Sequence, residues 1–322
     1  ILFAGDPYRE YQSYFNVTAL HLQSKEAGCD RIPGDVEKDT ACDAVVRWQT
    51  LTCNPEKVFS YIRRFPEAMA RDHQGIVIVN DYADVATGGG GVATLSKAAL
   101  ALVNHEVGHA FGTLLDEYDY TPGTDPDRPM PPGRQGNVPT RELRPNLMEG
   151  SDREDVLVHT YWRNWIEAGE AAWWNNSKVS VFEGGNHQPF EVWRPQMGCM
   201  MRDGSGFCVV CMETMVKQIY RRVRPIDRLD PEPGKLTIGP KEDRIFQVWP
   251  MQPRTHDLEV TWRLVALGIN EPGTSEGRTG VAEREGEVYR RSAVRTDVDG
   301  RTIHGAEIRA KDLDPGWYRL KV

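Results

Sequence analysis

LVNHEVGHAFGTLLDEYDY (residues 102–120) decides the reading of this chain. His105 and His109 stand four apart, with Glu106 beside the first. On an α-helix, positions i and i+4 point the same way one turn apart, so two imidazoles can grip one metal ion at ~2.0–2.1 Å. A neighbouring carboxylate can then take a proton from a water on that ion, and zinc lowers the pKa of such a water to about 7. The H-E-x-x-H pattern carries this chemistry only on a helix. Leu100, Val103, Val107, Ala110 and Phe111 recur at helical spacing and predict a helix from Thr94 to Gly112. His105 lies roughly 170° round from the middle of that apolar stripe, at ~100° per residue. One side of the helix is expected in a core, with both histidines turned the other way.

A catalytic zinc site normally takes three protein ligands and keeps a fourth position open. Gly112 stands seven residues after His105, as in the extended H-E-x-x-H-x-x-G-x-x-H pattern. Where that pattern has its third histidine this chain has Leu115, which cannot ligate; Asp116 follows. A straight helix would carry Asp116 ~10 Å beyond His109 at ~1.5 Å per residue. The backbone must therefore turn back, and Gly112 is the residue expected to take the left-handed conformation. Asp116 is the predicted third ligand and Glu117 the second choice, the unused carboxylate being left to orient a histidine or close the turn.

HEVGHAFGTLLDEY resembles the core motif of the IgA-peptidase family of bacterial zinc metallopeptidases, which is metzincin-like. YFNVTALHLQSKEAG (14–28), IVIVNDYADVATGGGG (76–91) and WRPQMGCMMRDGSGFCVVC (193–211) agree with it in order, so the resemblance spans about residues 10 to 220. It implies a zinc-dependent endopeptidase domain, with the active-site helix under a mixed sheet and, in several members, an appended β-rich domain. It also implies that strand 76–81 pairs with an extended protein or peptide substrate, a mode that asks little of the substrate's sequence. Met201, with Met200 as its rival, fits a methionine packed beneath the zinc ligands. Tyr118 is a candidate donor to the oxyanion of the tetrahedral intermediate.

The six cysteines form two clusters, Cys29, Cys42 and Cys53, then Cys199, Cys208 and Cys211. The expectation is a disulfide between Cys42 and Cys53 and another from Cys199 to Cys208 or Cys211. A second zinc on Cys199, Cys208 and Cys211 with His187 as fourth ligand is an alternative, as is a redox role. An even cysteine count and an opening, ILFAGDPYRE, that lacks an initiator Met fit a mature form of a secreted or cell-surface protein.

The 322 residues, 39% of them apolar, are enough for two ordinary domains. A net charge of −8 argues against general nucleic-acid binding, and no apolar run approaches the ~20 residues of a membrane span. Nothing in the sequence bears on oligomeric state. YFNVTALHLQ (14–23) reads as a strand, residues 54–72 as a helix capped by Asn54 and interrupted near Pro66, and GIVIVND (75–81) as a strand. Residues 119–147, with seven prolines, read as a long surface loop, and 156–176 carries four tryptophans suited to a core or a binding surface. Residues 222–235 read as a linker; alternating runs after it predict an immunoglobulin-like β-sandwich. The expected domains are a metzincin-like α+β catalytic domain, 1–229, and an all-β sandwich, 230–322, truncated at its C-terminus.

The leading reading is a secreted zinc endopeptidase with His105, His109 and Asp116 on the metal and Glu106 as general base, acting on host glycoproteins such as immunoglobulin A. The alternative is a non-catalytic carbohydrate- or glycoprotein-binding surface protein on a peptidase scaffold. A metal-dependent amidase acting on cell-wall peptides shares the same chemistry.

Overall fold

The computed structural model describes residues 1–32, 34, 37–65, 73–119, 138–169, 178–204, 206–239, 241–256, 258–267, 288–289, 292–296, 302–309 and 317–321. Among the described residues, no helix is long and apolar enough to cross a membrane. The chain divides into two compact units, one of 1–9 and 17–222, the other of 10–16 and 223–322.

The first unit mixes helices and short strands. β1 (Asp30–Ile32), β2 (Val45–Arg47) and β3 (Thr50–Thr52) form a small sheet in that order. α1 (Pro55–Ile62) starts as its sequence dictates: Asn54 accepts from the N–H groups of Glu56 and Lys57, with Pro55 in the first turn where no N–H is needed. It ends at Ile62, shorter than the 54–72 expected; residues 66–72, including Pro66, lie outside the described residues. β4 (Gly75–Val79), β5 (Ala86–Gly89) and β6 (Val92–Ser96) form a sheet ordered β4-β6-β5. β4 runs parallel to the central β6 and β5 antiparallel to it. Every residue of β6 is buried.

The helix that carries His105 and His109, α2 (Val103–Gly112), is shorter than expected. Thr94–Ser96, read as its first turn, is the end of β6, where β-branched residues suit a strand paired on both sides. The strand expected at 14–23 does not form: 12–14 is a short 3-10 turn, and Val17 and Leu20 are exposed. Alternation without a neighbouring edge to pair with leaves that segment irregular.

β7 (Arg141–Arg144), β8 (Leu147–Glu149), α3 (Arg153–His159), α4 (Arg163–Ala168), β9 (Phe182–Gly185), β10 (Gln188–Arg194) and α5 (Val209–Arg222) complete the unit. The strands make an antiparallel sheet ordered β7-β8-β10-β9. Of the four tryptophans in 156–176, Trp162 is wholly buried and donates to Ser180 O, and Trp165 donates to Glu213; Trp173 and Trp174 lie outside the described residues. Most of the expected proline-rich loop, 120–137, also lies outside them.

In the second unit the described regular elements are all strands after the opening segment: β11 (Ile226–Asp230), β12 (Asp243–Pro250), β13 (Trp262–Leu267), β14 (Val288–Tyr289), β15 (Ser292–Thr296), β16 (Thr302–Arg309) and β17 (Trp317–Lys321). They form two antiparallel sheets, β11-β12-β16-β15 and β14-β13-β17. Val248, Trp262 and Ala306 bring both sheets into one core. The stretch read as a linker contains β11, which pairs with β12, so the unit takes in residues from 223. Residues 10–16 belong to it as well: Tyr14 donates to Met251 O and Thr255 N to Glu10.

Candidate active site

α2 stops where the ligand argument requires, but by a different residue. Gly112 is its last helical position, and Thr113 takes the left-handed conformation (φ 56°, ψ 26°). Thr113 N donates to His109 O, the bond of an αL cap, and Leu114 N donates to Gly108 O. Gly112 is needed for its size instead, since a Cβ there would lie 2.4 Å from Met215 Sδ. The backbone then reverses, and buried Asn146 holds it: its side chain accepts from Leu115 N (3.0 Å) and donates to Leu115 O (2.8 Å). Leu115 thus stands where a third histidine would be, and Asn146 secures its peptide.

The turn delivers Asp116 to the histidines. Asp116 Oδ1 is 3.0 Å from His105 Nε2 and 3.1 Å from His109 Nε2, and the two Nε2 atoms are 3.1 Å apart. The other nitrogen of each ring meets a backbone carbonyl: His105 Nδ1 lies 2.9 Å from Met200 O, and His109 Nδ1 2.7 Å from Leu114 O. A carbonyl only accepts, so each Nδ1 carries the proton, and in the neutral rings each Nε2 presents a bare lone pair. Two lone pairs and a carboxylate oxygen without a hydrogen-bond partner therefore converge on one point. Donors on a tetrahedral zinc at ~2.0–2.1 Å lie ~3.3 Å apart, so the triangle fits a metal ion and the orientation of both rings is that of metal-bound histidines. With the rings protonated at both nitrogens instead, burial still opposes the ionisation of Asp116, but the facing imidazoles outweigh it and hold the carboxyl far below its ordinary value.

Glu106 is buried against β5. A Cβ on Gly88 would sit 1.9 Å from Glu106 O, so only glycine lets the strand lie this close to the helix. Gly88 N–H donates to the Glu106 carboxylate. Burial is the main influence on that carboxyl and raises its pKa, against the pull of His105 and His109. β5, not β4, is thus the edge strand beside the Glu106 carboxylate, and β4 is the opposite edge of the sheet. Ser96 N donates to Val85 O, so odd positions of β5 face β6 and the main-chain groups of Ala86 and Gly88 face away. Strand 76–81, expected to pair with substrate, therefore lies at the edge of the sheet away from Glu106.

Beneath the histidines, Met201 is wholly buried, and a Cβ on Gly108 would be 2.6 Å from its sulfur. Met201 packs under the helix that carries the histidines, while Met200 turns its carbonyl to His105. Tyr118 lies near the candidate metal ligands: its ring stacks on His105 at 6.5 Å and meets His187 edge-on at 4.9 Å.

Glu117 does not join the histidines. It points away, wholly buried, among Cys199, Cys208 and Cys211. His187, read as a partner of those cysteines, faces Asp116 instead, its Nε2 3.4 Å from Oδ2. It is presented by the two-residue hairpin Asn186–His187 between β9 and β10, both residues at positive φ. Asn186 N and His187 N donate to Asp116 O and Tyr118 O, which ties the hairpin to the ligand loop. Gly-Asn-His between two apolar runs was the sequence signal for that turn. The expected disulfides do not form. All six cysteines are unbonded and buried; Cys42 and Cys53 share a hydrogen bond, Cys29 donates to Asp81, and Cys199, Cys208 and Cys211 surround Glu117.

The family model described as IgA Peptidase M64 matches residues 1–176. No curated protein matches the chain.

Proposed function

The chain belongs to the IgA Peptidase M64 family and is a member of a peptidase family; from that premise we propose that it is a zinc-dependent endopeptidase. The observation that carries the proposal is the convergence of His105 Nε2, His109 Nε2 and Asp116 Oδ1 within 3.1 Å, with both Nδ1 atoms committed to carbonyls. Nitrogen and carboxylate donors of this kind suit zinc. Zinc held there would supply Lewis-acid activation of a water and polarisation of the scissile carbonyl.

The chain's own residues supply the proton handling. Glu106 takes a proton from the attacking water and returns it to the leaving amine, and its burial brings its proton affinity closer to that working range. Gly88 N–H orients the carboxylate. His187 steadies the outer oxygen of Asp116. Tyr118 is the proposed donor to the developing oxyanion. The Ala86 N–H and the Gly88 carbonyl, on the outer edge of β5, would pair with an extended polypeptide beside Glu106, which suits cleavage within a chain.

A metzincin-like catalytic unit, an immunoglobulin-like second unit that targets or spaces it, and export from the cytoplasm belong to the same proposal. Immunoglobulin A is the substrate candidate carried by the family description. The test is Glu106→Gln assayed on a peptide library, with metal content measured in parallel. The variant is expected to keep its metal and fold and to lose proteolysis, as should the wild type under chelation. Unchanged cleavage by Glu106→Gln would falsify the assignment.

A further inference from the structure

The buried cluster of Cys199, Cys208, Cys211 and Glu117 is separate from the histidine site, and no step of the proposed reaction uses it. All four residues are 0% exposed, and one donor atom from each lies within 4.8 Å of all the others. Glu117 Oε1 is 3.1 Å from Cys211 Sγ and 3.7 Å from Cys208 Sγ. Its other oxygen, Oε2, is buried without a hydrogen-bond partner. The backbone already points N–H groups at sulfur: Cys208 N lies 3.3 Å from Cys199 Sγ, and Cys211 N 3.5 Å from Cys208 Sγ. Such bonds favour thiolates over thiols.

We propose that Cys199, Cys208, Cys211 and Glu117 hold a second, structural zinc ion. Three sulfurs and one carboxylate oxygen make a complete tetrahedral set, and Cys-x-x-Cys running into the first turn of α5 is a common way to supply two of them. The set is closed: with every ligand buried, no position is open to substrate, so the ion would stabilise rather than react. It also gives the orphaned oxygen of Glu117 a cation, where a buried carboxylate otherwise has none.

The ion would connect the two sites through the backbone. Glu117 directly follows Asp116, and Glu117 N donates to Met201 O at 2.7 Å. Cys199 precedes Met200, whose carbonyl receives His105 Nδ1, and Met201, which packs under Gly108. Fastening Glu117 to Cys199 would hold both the ligand loop and the floor under the histidines. The paired carboxylates of Asp-Glu-Tyr then divide their work, one to each metal.

The experiment is metal analysis of the full chain purified without chelator, for wild type, His105→Ala/His109→Ala and Cys208→Ser/Cys211→Ser. Wild type is expected to carry two zinc ions and each double variant one. After cobalt substitution, the histidine variant should keep a thiolate-to-cobalt charge-transfer band. If the cysteine variant fails to fold, the histidine variant still decides. Retained metal with that band supports the proposal; a histidine variant without bound metal overturns it. A disulfide among Cys199, Cys208 and Cys211, found by thiol counting of the unreduced denatured wild type, also overturns it. Failure of the catalytic reading alone would appear as a missing histidine-dependent equivalent with the thiolate band intact.

Discussion

The contact between Gly88 and the backbone of Glu106 makes the position of β5 testable with one methyl group. In Gly88→Ala the new Cβ would meet Glu106 O at 1.9 Å, its carbonyl carbon at 2.7 Å and its Cα at 2.9 Å. These are main-chain atoms of α2, which no rotamer change can move. Since ordinary contact begins near 3.4 Å, strand and helix must part by about 1.5 Å at this point. That separation breaks the Gly88 N–H bond to Glu106 and shifts the proposed substrate edge relative to the carboxylate. A 1 Å misplacement of catalytic groups can cost ~10²-fold in rate. We therefore expect kcat/KM on the best library substrate to fall by about 10²-fold or more, equivalent to ~2.7 kcal/mol. The strain should also lower unfolding stability by ~1–3 kcal/mol in urea titration. Metal content should not change, because no ligand lies on β5. Gly89→Ala is the matched control: its Cβ meets nothing within 4 Å, and the variant should behave as wild type or gain up to ~1 kcal/mol. Gly88→Ala with activity within about threefold of wild type would refute the placement of β5 against Glu106.

Two further outcomes are expected. Asn146→Ala strips both hydrogen bonds from the half-buried Leu115 peptide and one from the buried Glu117 carboxylate and should cost ~2–4 kcal/mol of stability; it should also weaken metal binding at His105, His109 and Asp116, and a variant with unchanged metal affinity would remove Asn146 from the turn's support. Burial opposes ionisation of Asp81, but Ala83 N–H, the Cys29 thiol and Arg31 outweigh it and lower its pKa. Its contribution is thus complete above the unfolded carboxylate value and lost as pH falls through the lower folded one. Asp81→Asn should accordingly be less stable at neutral pH and show a shallower loss of stability between about pH 5 and pH 2 in urea titrations, an identical pH slope being the contrary result.

The sequence was most informative where function and local pattern coincide. The cap of α1 follows from Asn54-Pro55, the strand at 75–79 from its β-branched run, and the shared direction of His105 and His109 from spacing alone. Each depends on residues within a turn or two of one another, which is the range over which periodicity and capping act. Local pattern misled where pairing decides: 14–23 alternates like a strand but pairs with no strand among the described residues, and Thr94–Ser96 fits the helical stripe but is claimed by the centre of a sheet.

What the sequence determined by itself was a helix that presents His105 and His109 together beside a carboxylate, and the need for the backbone to turn back within seven residues of His109 if a third ligand is to join them. Which acidic residue answers that need was decided only by the tertiary structure. Asp116 and Glu117 are adjacent and chemically alike. They part because Asn146, Met200–Met201 and the 199–211 cysteines, distant in sequence, meet that turn from different sides. A hydrogen bond or sulfur contact across 30 to 95 residues leaves no periodicity in the chain, so only packing could send one carboxylate to the histidines and bury the other among thiols.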